Sequence, residues 1–97
     1  MITWGFVVSY SDLVTVGSPF TINGLTLTAS YIYVSGNSGD IVWLNALGQP
    51  QYLANAQSGQ FYPIGASQIV TSATVNGTVR TTGATNMVWM ASPSAVS

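Results

Sequence analysis

Few side chains in this chain could do acid–base chemistry. Asp12, Asp40 and Arg80 are the only charged residues among 97, and Lys, Glu, His and Cys do not occur. General acid–base catalysis uses a group that changes protonation near neutral pH, so only the two carboxylates and the tyrosines could contribute. Asp12 and Asp40 could form a hydrolase pair if the fold brought them together. Both lie in turn-like stretches, where Asp bonds to local backbone amides. We therefore predict that the protein is not an enzyme and has no catalytic residue.

Metal and cofactor sites lack their usual ligands. Zinc sites use His or Cys, and calcium sites use several carboxylates within one loop. The loop over residues 35–40 contains a single carboxylate, Asp40, so it is better explained as a turn. No glycine pattern matches a phosphate-binding loop. We predict no metal, no cofactor and no small-molecule substrate.

Arg80 is the only cation in the chain. It could pair with Asp12 or Asp40 inside one subunit, face water, or anchor a partner interface, because arginine is enriched in binding hot spots. One arginine cannot neutralise a nucleic-acid backbone, so we predict no nucleic-acid partner. The uninterrupted apolar runs are only a few residues long, far below the roughly twenty residues of a membrane helix. We therefore also predict no membrane partner.

The elements that would position these residues are short β-strands. β-branched and aromatic residues dominate, and Gly, Pro, Asn and Ser separate the apolar stretches. Extended segments are predicted over residues 3–10, 20–22, 25–29, 41–45, 51–54, 61–64, 68–75, 78–81 and 87–91. Turns or loops are predicted over residues 11–19, 23–24, 35–40, 46–50, 55–60, 76–77 and 82–86.

This pattern predicts an all-β fold without helices: one small antiparallel β-sandwich, jelly-roll-like, or a β-barrel, with about eight short strands. Residues 1–97 are predicted to form a single domain. Residues 1–19 would be an N-terminal arm or a first strand plus loop, and residues 92–97 a loose tail. Leu27 and Ala29 have the opposite parity to Ile32 and Val34, which predicts a bend or bulge near Ser30, or a strand buried on both faces.

The eleven aromatic residues have two possible roles. Trp4, Trp43 and Trp89 fall within predicted strands, so core packing is their default role. A coplanar, exposed row of tyrosines would instead indicate sugar stacking, and the candidates are Tyr31, Tyr33, Tyr52 and Tyr62. The triplet at residues 76–78 fits a glycosylation sequon, although a tight turn explains Asn76-Gly77 equally well.

Ordered motifs in the last two thirds of the chain resemble a known family. Residues 29–44 read Ala-Ser-Tyr-Ile-Tyr-Val-Ser-Gly-Asn-Ser-Gly-Asp-Ile-Val-Trp-Leu, and residues 59–65 read Gly-Gln-Phe-Tyr-Pro-Ile-Gly. Gln-Ile-Val follows at 68–70, and residues 82–90 read Thr-Gly-Ala-Thr-Asn-Met-Val-Trp-Met. In order and spacing this is similar to small tailed-bacteriophage virion proteins of the head decoration, cement or fibre type. The basic residues that usually follow Pro-Ile in that family are absent here.

The resemblance implies a structural protein of the virion. It implies a capsid decoration or cement protein that binds and stabilises the shell of major capsid protein on the outer surface of the phage head. Its partners would be the major capsid protein and copies of itself, as a homotrimer. Trp4, Phe6 and Arg80 are the candidate interface residues, with Trp4 and Phe6 either on an arm that joins a neighbour's sheet or in an ordinary core strand. The alternatives are a neck, tail or fibre component, and a carbohydrate-binding β-sandwich module.

Overall fold

A computed structural model describes residues 10–91, which form eleven β-strands and contain no helix. The strands are β1 (Tyr10–Leu13), β2 (Thr21–Ile22), β3 (Leu25–Thr26), β4 (Tyr31–Val34), β5 (Gly39–Leu44), β6 (Pro50–Ala56), β7 (Phe61–Tyr62), β8 (Gln68–Ile69), β9 (Ser72–Val75), β10 (Thr78–Thr81) and β11 (Met87–Ala91). Every strand pair is antiparallel. The predicted all-β fold is therefore confirmed.

The strands form two main sheets and two hairpins. The larger sheet has the order β1-β11-β4-β7, and the smaller has the order β6-β5-β8. Strands β2 and β3 pair with each other, as do β9 and β10. All four strand orders are open, so the described part of the chain contains no closed barrel.

The core lies between these sheets, and every buried side chain in residues 10–91 is apolar. Ile32, Val34 and Trp89 from the larger sheet share one buried cluster with Ile41 and Ile69 from the smaller sheet. The Trp89 ring stacks on Phe20 with 5.2 Å between centroids, and Trp43 packs against the cluster from its edge. Core packing is thus the role of both described tryptophans, as predicted.

Two Asn-Gly pairs turn the hairpins as the sequence predicts. Asn23 and Gly24 have φ of 51° and 78°, and Asn76 and Gly77 have φ of 50° and 82°. Two successive left-handed residues match the right-handed twist of the flanking strands. The β5–β6 hairpin is closed differently, because the Asn45 side chain accepts the Leu47 and Gln49 amides at 2.9 and 3.0 Å.

Several segments differ from the sequence prediction. The loop predicted over residues 11–19 is wrong at its start, because β1 continues to Leu13 along the edge of the larger sheet. The strand predicted over residues 68–75 is two strands, since its first part pairs with β5 and its second part with β10. Residues 10–91 contain eleven strands where about eight were predicted, because several are only two residues long.

The parity change near Ser30 is a bend, as predicted. Ala29 forms an isolated bridge to Ala66, and the Ser30 amide then donates to the Met90 carbonyl at 2.7 Å. The chain therefore switches partners at Ser30. Leu27 and Ala29 before the bend and Ile32 after it all reach the core.

Residues 82–86, predicted as a turn, form a strap across the start of β5. The Gly83 and Ala84 amides donate to the Asp40 carbonyl at 2.9 and 3.2 Å. The hydroxyl of Thr82 donates to the Val70 carbonyl at 2.6 Å and accepts the Val42 amide at 3.0 Å. The strap thus connects the β9–β10 hairpin to β11 while remaining bonded to β5.

Candidate functional site

Two of the three charged residues contact the same tyrosine, Tyr52, on the smaller sheet. The Tyr52 hydroxyl on β6 donates to Oδ2 of Asp40 on β5 at 2.9 Å, and the Asn55 amide donates to Oδ1 at 2.8 Å. The Arg80 guanidinium on β10 lies over the Tyr52 ring, 4.5 Å from its centroid. The three strands therefore bring together the carboxylate of Asp40, the phenol of Tyr52 and the guanidinium of Arg80. We call these three residues the Asp40 network. Asp40, Tyr52 and Arg80 are each half-buried.

The network stabilises the charged form of the carboxylate and the neutral form of the phenol. The Asn55 amide and then the Tyr52 hydroxyl lower the pKa of Asp40, and the charge of Arg80 acts in the same direction. The bond to Asp40 is the largest cause that raises the pKa of Tyr52. The pKa of Asp40 is thus lowered and that of Tyr52 raised, so both move further from neutral pH. An acid–base catalyst needs a pKa near the working pH.

The second carboxylate has separate surroundings. Asp12 lies on β1 in the larger sheet, and its Oδ1 accepts the amide of the next residue, Leu13, at 2.8 Å. Asp40 lies in the smaller sheet and has a different set of partners. The contacts described for residues 10–91 therefore do not bring the two carboxylates into one hydrolase pair.

The predicted interface residues divide into two groups. Trp4 and Phe6 lie outside the described residues. Arg80 stacks on the Tyr52 ring of its own chain, whereas the ion pair with Asp12 or Asp40 that the sequence suggests stays a prediction. The role of Arg80 as an interface anchor also stays a prediction.

The four tyrosines proposed for sugar stacking do not form one row. Tyr62 shares the core-facing side of the larger sheet with Ile32, and its hydroxyl accepts the Gln57 amide at 2.6 Å. Tyr52 belongs to the Asp40 network on the smaller sheet. Only Tyr31 and Tyr33 share a surface, the side of β4 that faces away from the core.

That side of the larger sheet has an apolar row that crosses all four strands. Strand register places Leu13 of β1 beside Val88 of β11, Val88 beside Tyr33 of β4, and Tyr33 beside Phe61 of β7. Directly paired residues in antiparallel strands point to the same face. Leu13 is 66 % exposed and Phe61 58 % exposed, and the Tyr33 and Phe61 rings are 4.6 Å apart. We call these four residues the outer row.

The described positions on the face that carries the outer row include no Asp or Arg. The neighbouring positions on the same face are Ser11, Met90 and Tyr31, which register places side by side. Asp12 projects from the other face of β1, because it pairs with the buried Trp89. An exposed apolar surface of this kind is typical of a contact with another protein or another copy.

Sequence reasoning did not identify the outer row. Leu13 lies in a segment that the sequence predicts as a loop, and the sequence indicates no site role for Phe61 or Val88. One signal was present: residues 31–34 and 87–90 are apolar at both parities, a pattern typical of strands covered on both faces. The pairing that aligns the four residues depends on strand register, which the sequence alone does not give.

Comparisons with known proteins give this chain no relative. No protein-family model, curated protein or solved structure matches it. Within residues 10–91, no helix is long and apolar enough to cross a membrane.

Proposed function

We propose that this protein is a non-enzymatic structural component of a tailed-bacteriophage virion. It would be a decoration or cement protein that binds the major capsid protein on the outer surface of the head and stabilises the shell. The motif order from residue 29 onward, similar to that of small phage head proteins, suggests the setting. The observation that carries a binding role is the uncharged apolar outer row on the larger sheet.

The distribution of charge supports binding over catalysis. Two of the three charged residues take part in one intramolecular network, and the third bonds to its neighbour's amide. The remaining polar groups are neutral hydroxyls and amides. Contacts made by such a surface depend on apolar burial and neutral hydrogen bonds, and salt screens neither of them strongly.

A homotrimer on the shell is the proposed form of assembly. When many linked copies bind at once, their individually weak contacts combine into strong overall attachment. One small apolar face on each copy is then enough to hold the protein on the shell. A protein with this role has no need for the high surface charge that keeps free proteins apart.

Virion composition tests this proposal directly. Particles of the encoding phage would be purified and the copy number of this chain measured by quantitative mass spectrometry against the major capsid protein. A decoration protein should approach the abundance of the capsid protein. A copy number of a few tens or fewer would indicate a neck, tail or fibre component, and absence from the particle would contradict both.

A carbohydrate-binding module is the second candidate function. The exposed Phe61 ring beside Tyr33 favours it, because the two rings offer apolar area and the Tyr33 hydroxyl adds a polar tip. The rings are inclined by 38° to each other, so the pair does not present one flat platform. A glycan array would separate the two functions: binding that is lost in Phe61→Ser would support the module, and a blank array would oppose it.

A further inference from the structure

The two main sheets end in the edge strands β1, β7, β6 and β8, and β6 differs from the other three. β1 carries Asp12, and β7 has two residues and is followed by Pro63. β8 also has two residues, and its Ile69 carbonyl already accepts the Gly17 amide at 2.7 Å. Charge, shortness, proline and cover by a loop are the devices that prevent pairing with another chain. β6 (Pro50–Ala56) has seven residues, no charge, and proline only at its first position.

Hydrogen bonds of the central strand β5 show which of its backbone groups point toward β6. The carbonyls of Val42 and Leu44 accept amides from the residues that flank β8, at 2.9 and 2.8 Å. These two residues therefore turn their backbone groups away from β6. Bonding direction alternates along an antiparallel strand, so Ile41 and Trp43 turn their backbone groups toward β6.

The register transfers this alternation to β6. Trp43 pairs with Gln51 and Ile41 pairs with Leu53, so Gln51 and Leu53 bond to β5. The residues at the alternate positions of β6 point their backbone groups outward: Pro50, Tyr52 and Ala54. Within residues 10–91, no backbone hydrogen bond reaches these outward groups. β6 therefore presents an uncharged edge on which another strand can pair.

The outward groups fit a second copy of the same strand. In an antiparallel pair centred on Tyr52, the N–H and C=O groups of this residue exchange bonds with those of Tyr52 in the second copy. The Ala54 amide of each copy then donates to the Pro50 carbonyl of the other. Pro50 has no N–H, which removes one possible donor at each end and leaves all of these bonds intact. The edge is therefore complementary to itself about a twofold axis.

The centre of this edge is ordered within one chain. The Tyr52 hydroxyl donates to Asp40, and the Arg80 guanidinium lies over the Tyr52 ring. A strand that is fixed in advance loses less conformational entropy on binding. Asp40 and Arg80 have opposite charges, so no net charge at this point opposes a second copy. The register shift opposite Gly39 and Ile41 marks a bulge just beyond Leu53, which limits regular pairing to the first part of β6.

We propose that β6 pairs with β6 of a second copy, antiparallel and about a twofold axis at Tyr52, so that two smaller sheets join into one continuous sheet. A contact of this kind uses the same surface on both copies and is complete with two. It goes beyond the proposed function and does not rest on it. In a shell that carries trimers, it would connect one trimer to the next.

Amide hydrogen exchange of the full chain tests this contact, followed by NMR at low and at high protein concentration. The Tyr52 and Ala54 amides have partners only in the pair, so we expect their exchange to slow as the concentration rises. The Gln51 and Leu53 amides are internal controls on the same strand. They already bond to β5, so their exchange should change little.

Other exchange patterns overturn the proposal. Rates at Tyr52 and Ala54 that do not depend on concentration would mean that no copy pairs there, and slow exchange already at low concentration would mean that the chain covers its own edge. Equal slowing at all four amides would indicate a contact elsewhere. A trimer whose Tyr52 and Ala54 amides exchange rapidly would support the assembly under the proposed function and exclude the β6 contact.

An isotope-filtered NOE experiment on mixed ¹³C-labelled and unlabelled chains tests the register. Gln51 of one copy and Leu53 of the other would form a pair that is not hydrogen-bonded, with Cα atoms about 4.5 Å apart. We therefore expect an NOE between the Hα atoms of these two residues across copies. Protected Tyr52 and Ala54 amides without this NOE would contradict pairing about Tyr52 and indicate a different strand on the edge.

Ala54→Pro removes an N–H that only the pair uses. Proline is tolerated on an edge strand where its position faces solvent, so the monomer should fold. Each dimer loses two hydrogen bonds, and we expect self-association in sedimentation equilibrium to weaken by about tenfold or more. Ala54→Ser retains the amide and should match the wild type.

A second substitution at this position covers the case in which Ala54→Pro does not fold, as judged by urea unfolding. Ala54→Lys retains the amide and places like charges on both edges, a device that prevents strand pairing, so it should also weaken self-association. Wild-type association in either folded variant, or a wild-type chain that stays monomeric at high concentration, would overturn the proposal.

Discussion

At the scale of single residues, the charged groups act as structural parts. Asp40 receives two hydrogen bonds and Arg80 covers the ring of the tyrosine that makes one of them. The network thereby ties β5, β6 and β10 together at one point. The sequence suggests an intramolecular pairing of Arg80 with Asp40 as one alternative. In the structure both residues contact Tyr52, which the sequence suggests only as a ring for sugar stacking.

The Asp40 network predicts pH-dependent stability at both ends of the scale. The pKa of Asp40 is lowered from its ordinary 3.8, so its contribution is present above pH 3.8 and is lost as the pH falls through the folded value. The pKa of Tyr52 is raised from 10.0, so its contribution is present below pH 10.0 and is lost as the pH rises through the folded value.

Tyr52→Phe should therefore change both flanks of the stability curve. The substitution removes one donor to Asp40, so the loss of stability in acid becomes smaller. The alkaline loss specific to Tyr52 disappears. Urea midpoints measured across the pH range give the difference from wild type, and Asp12→Asn, in the other sheet, serves as the control. Parallel curves for Tyr52→Phe and wild type at both ends would show that the network does not contribute to stability.

Thr82 makes the second prediction at this scale. Its half-buried hydroxyl bonds to the Val70 carbonyl and the Val42 amide, so Thr82→Val leaves both groups without that partner. Unpaired buried polar groups cost about 1–3 kcal/mol, and we expect a loss of that size in the free energy of unfolding. Thr82→Ser retains the hydroxyl and should be close to wild type. Equal losses in both variants would assign the effect to packing.

At the scale of elements, the strap over residues 82–86 depends on two glycines beneath it. A Cβ on Gly39 would lie 2.5 Å from the Ala84 nitrogen, and one on Gly36 would lie 2.5 Å from the Thr85 hydroxyl oxygen. The backbone of β5 and the preceding turn can therefore approach the strap only where no side chain intervenes. This close approach explains glycines that the sequence had suggested only as turn residues.

Gly39→Ala should separate the strap from β5. Overpacking of this kind costs about 1–3 kcal/mol and occasionally more, and the loss should appear in urea unfolding together with faster amide exchange at Gly83 and Ala84, which donate to the Asp40 carbonyl. Gly65→Ala is the control, because nothing lies within 4 Å of its Cβ position. Similar behaviour of the two variants would contradict the close packing of the strap.

Sequence patterns predicted the elements that have a local signal. The Asn-Gly turns, the β5–β6 hairpin and the bend at Ser30 follow from backbone preference and parity, which act over a few residues. The division of residues 68–75 between two partners, the strand character of Ser11–Leu13 and the path of the strap follow from pairing with distant strands. Those pairings have no local signal.

At the scale of the whole molecule, the larger sheet separates an apolar core from an apolar outer face. The larger sheet contacts the core through Ile32 and Trp89 and presents Leu13 and Phe61 on its other side. A sheet that is apolar on both faces is normally covered on both. The composition predicted a binding role in general terms, whereas the position of the surface required the register of four strands.

Calorimetry of phage heads tests the central claim that this chain stabilises a shell through uncharged contacts. Expanded heads of the encoding phage, prepared without the protein, would be scanned alone and after adding it, at about 0.05 M and about 1 M salt, where charge interactions are screened within about 3 Å. We expect the protein to bind and to raise the melting temperature of the heads at both salt concentrations. An unchanged melting temperature, or a stabilisation that disappears in 1 M salt, would contradict it.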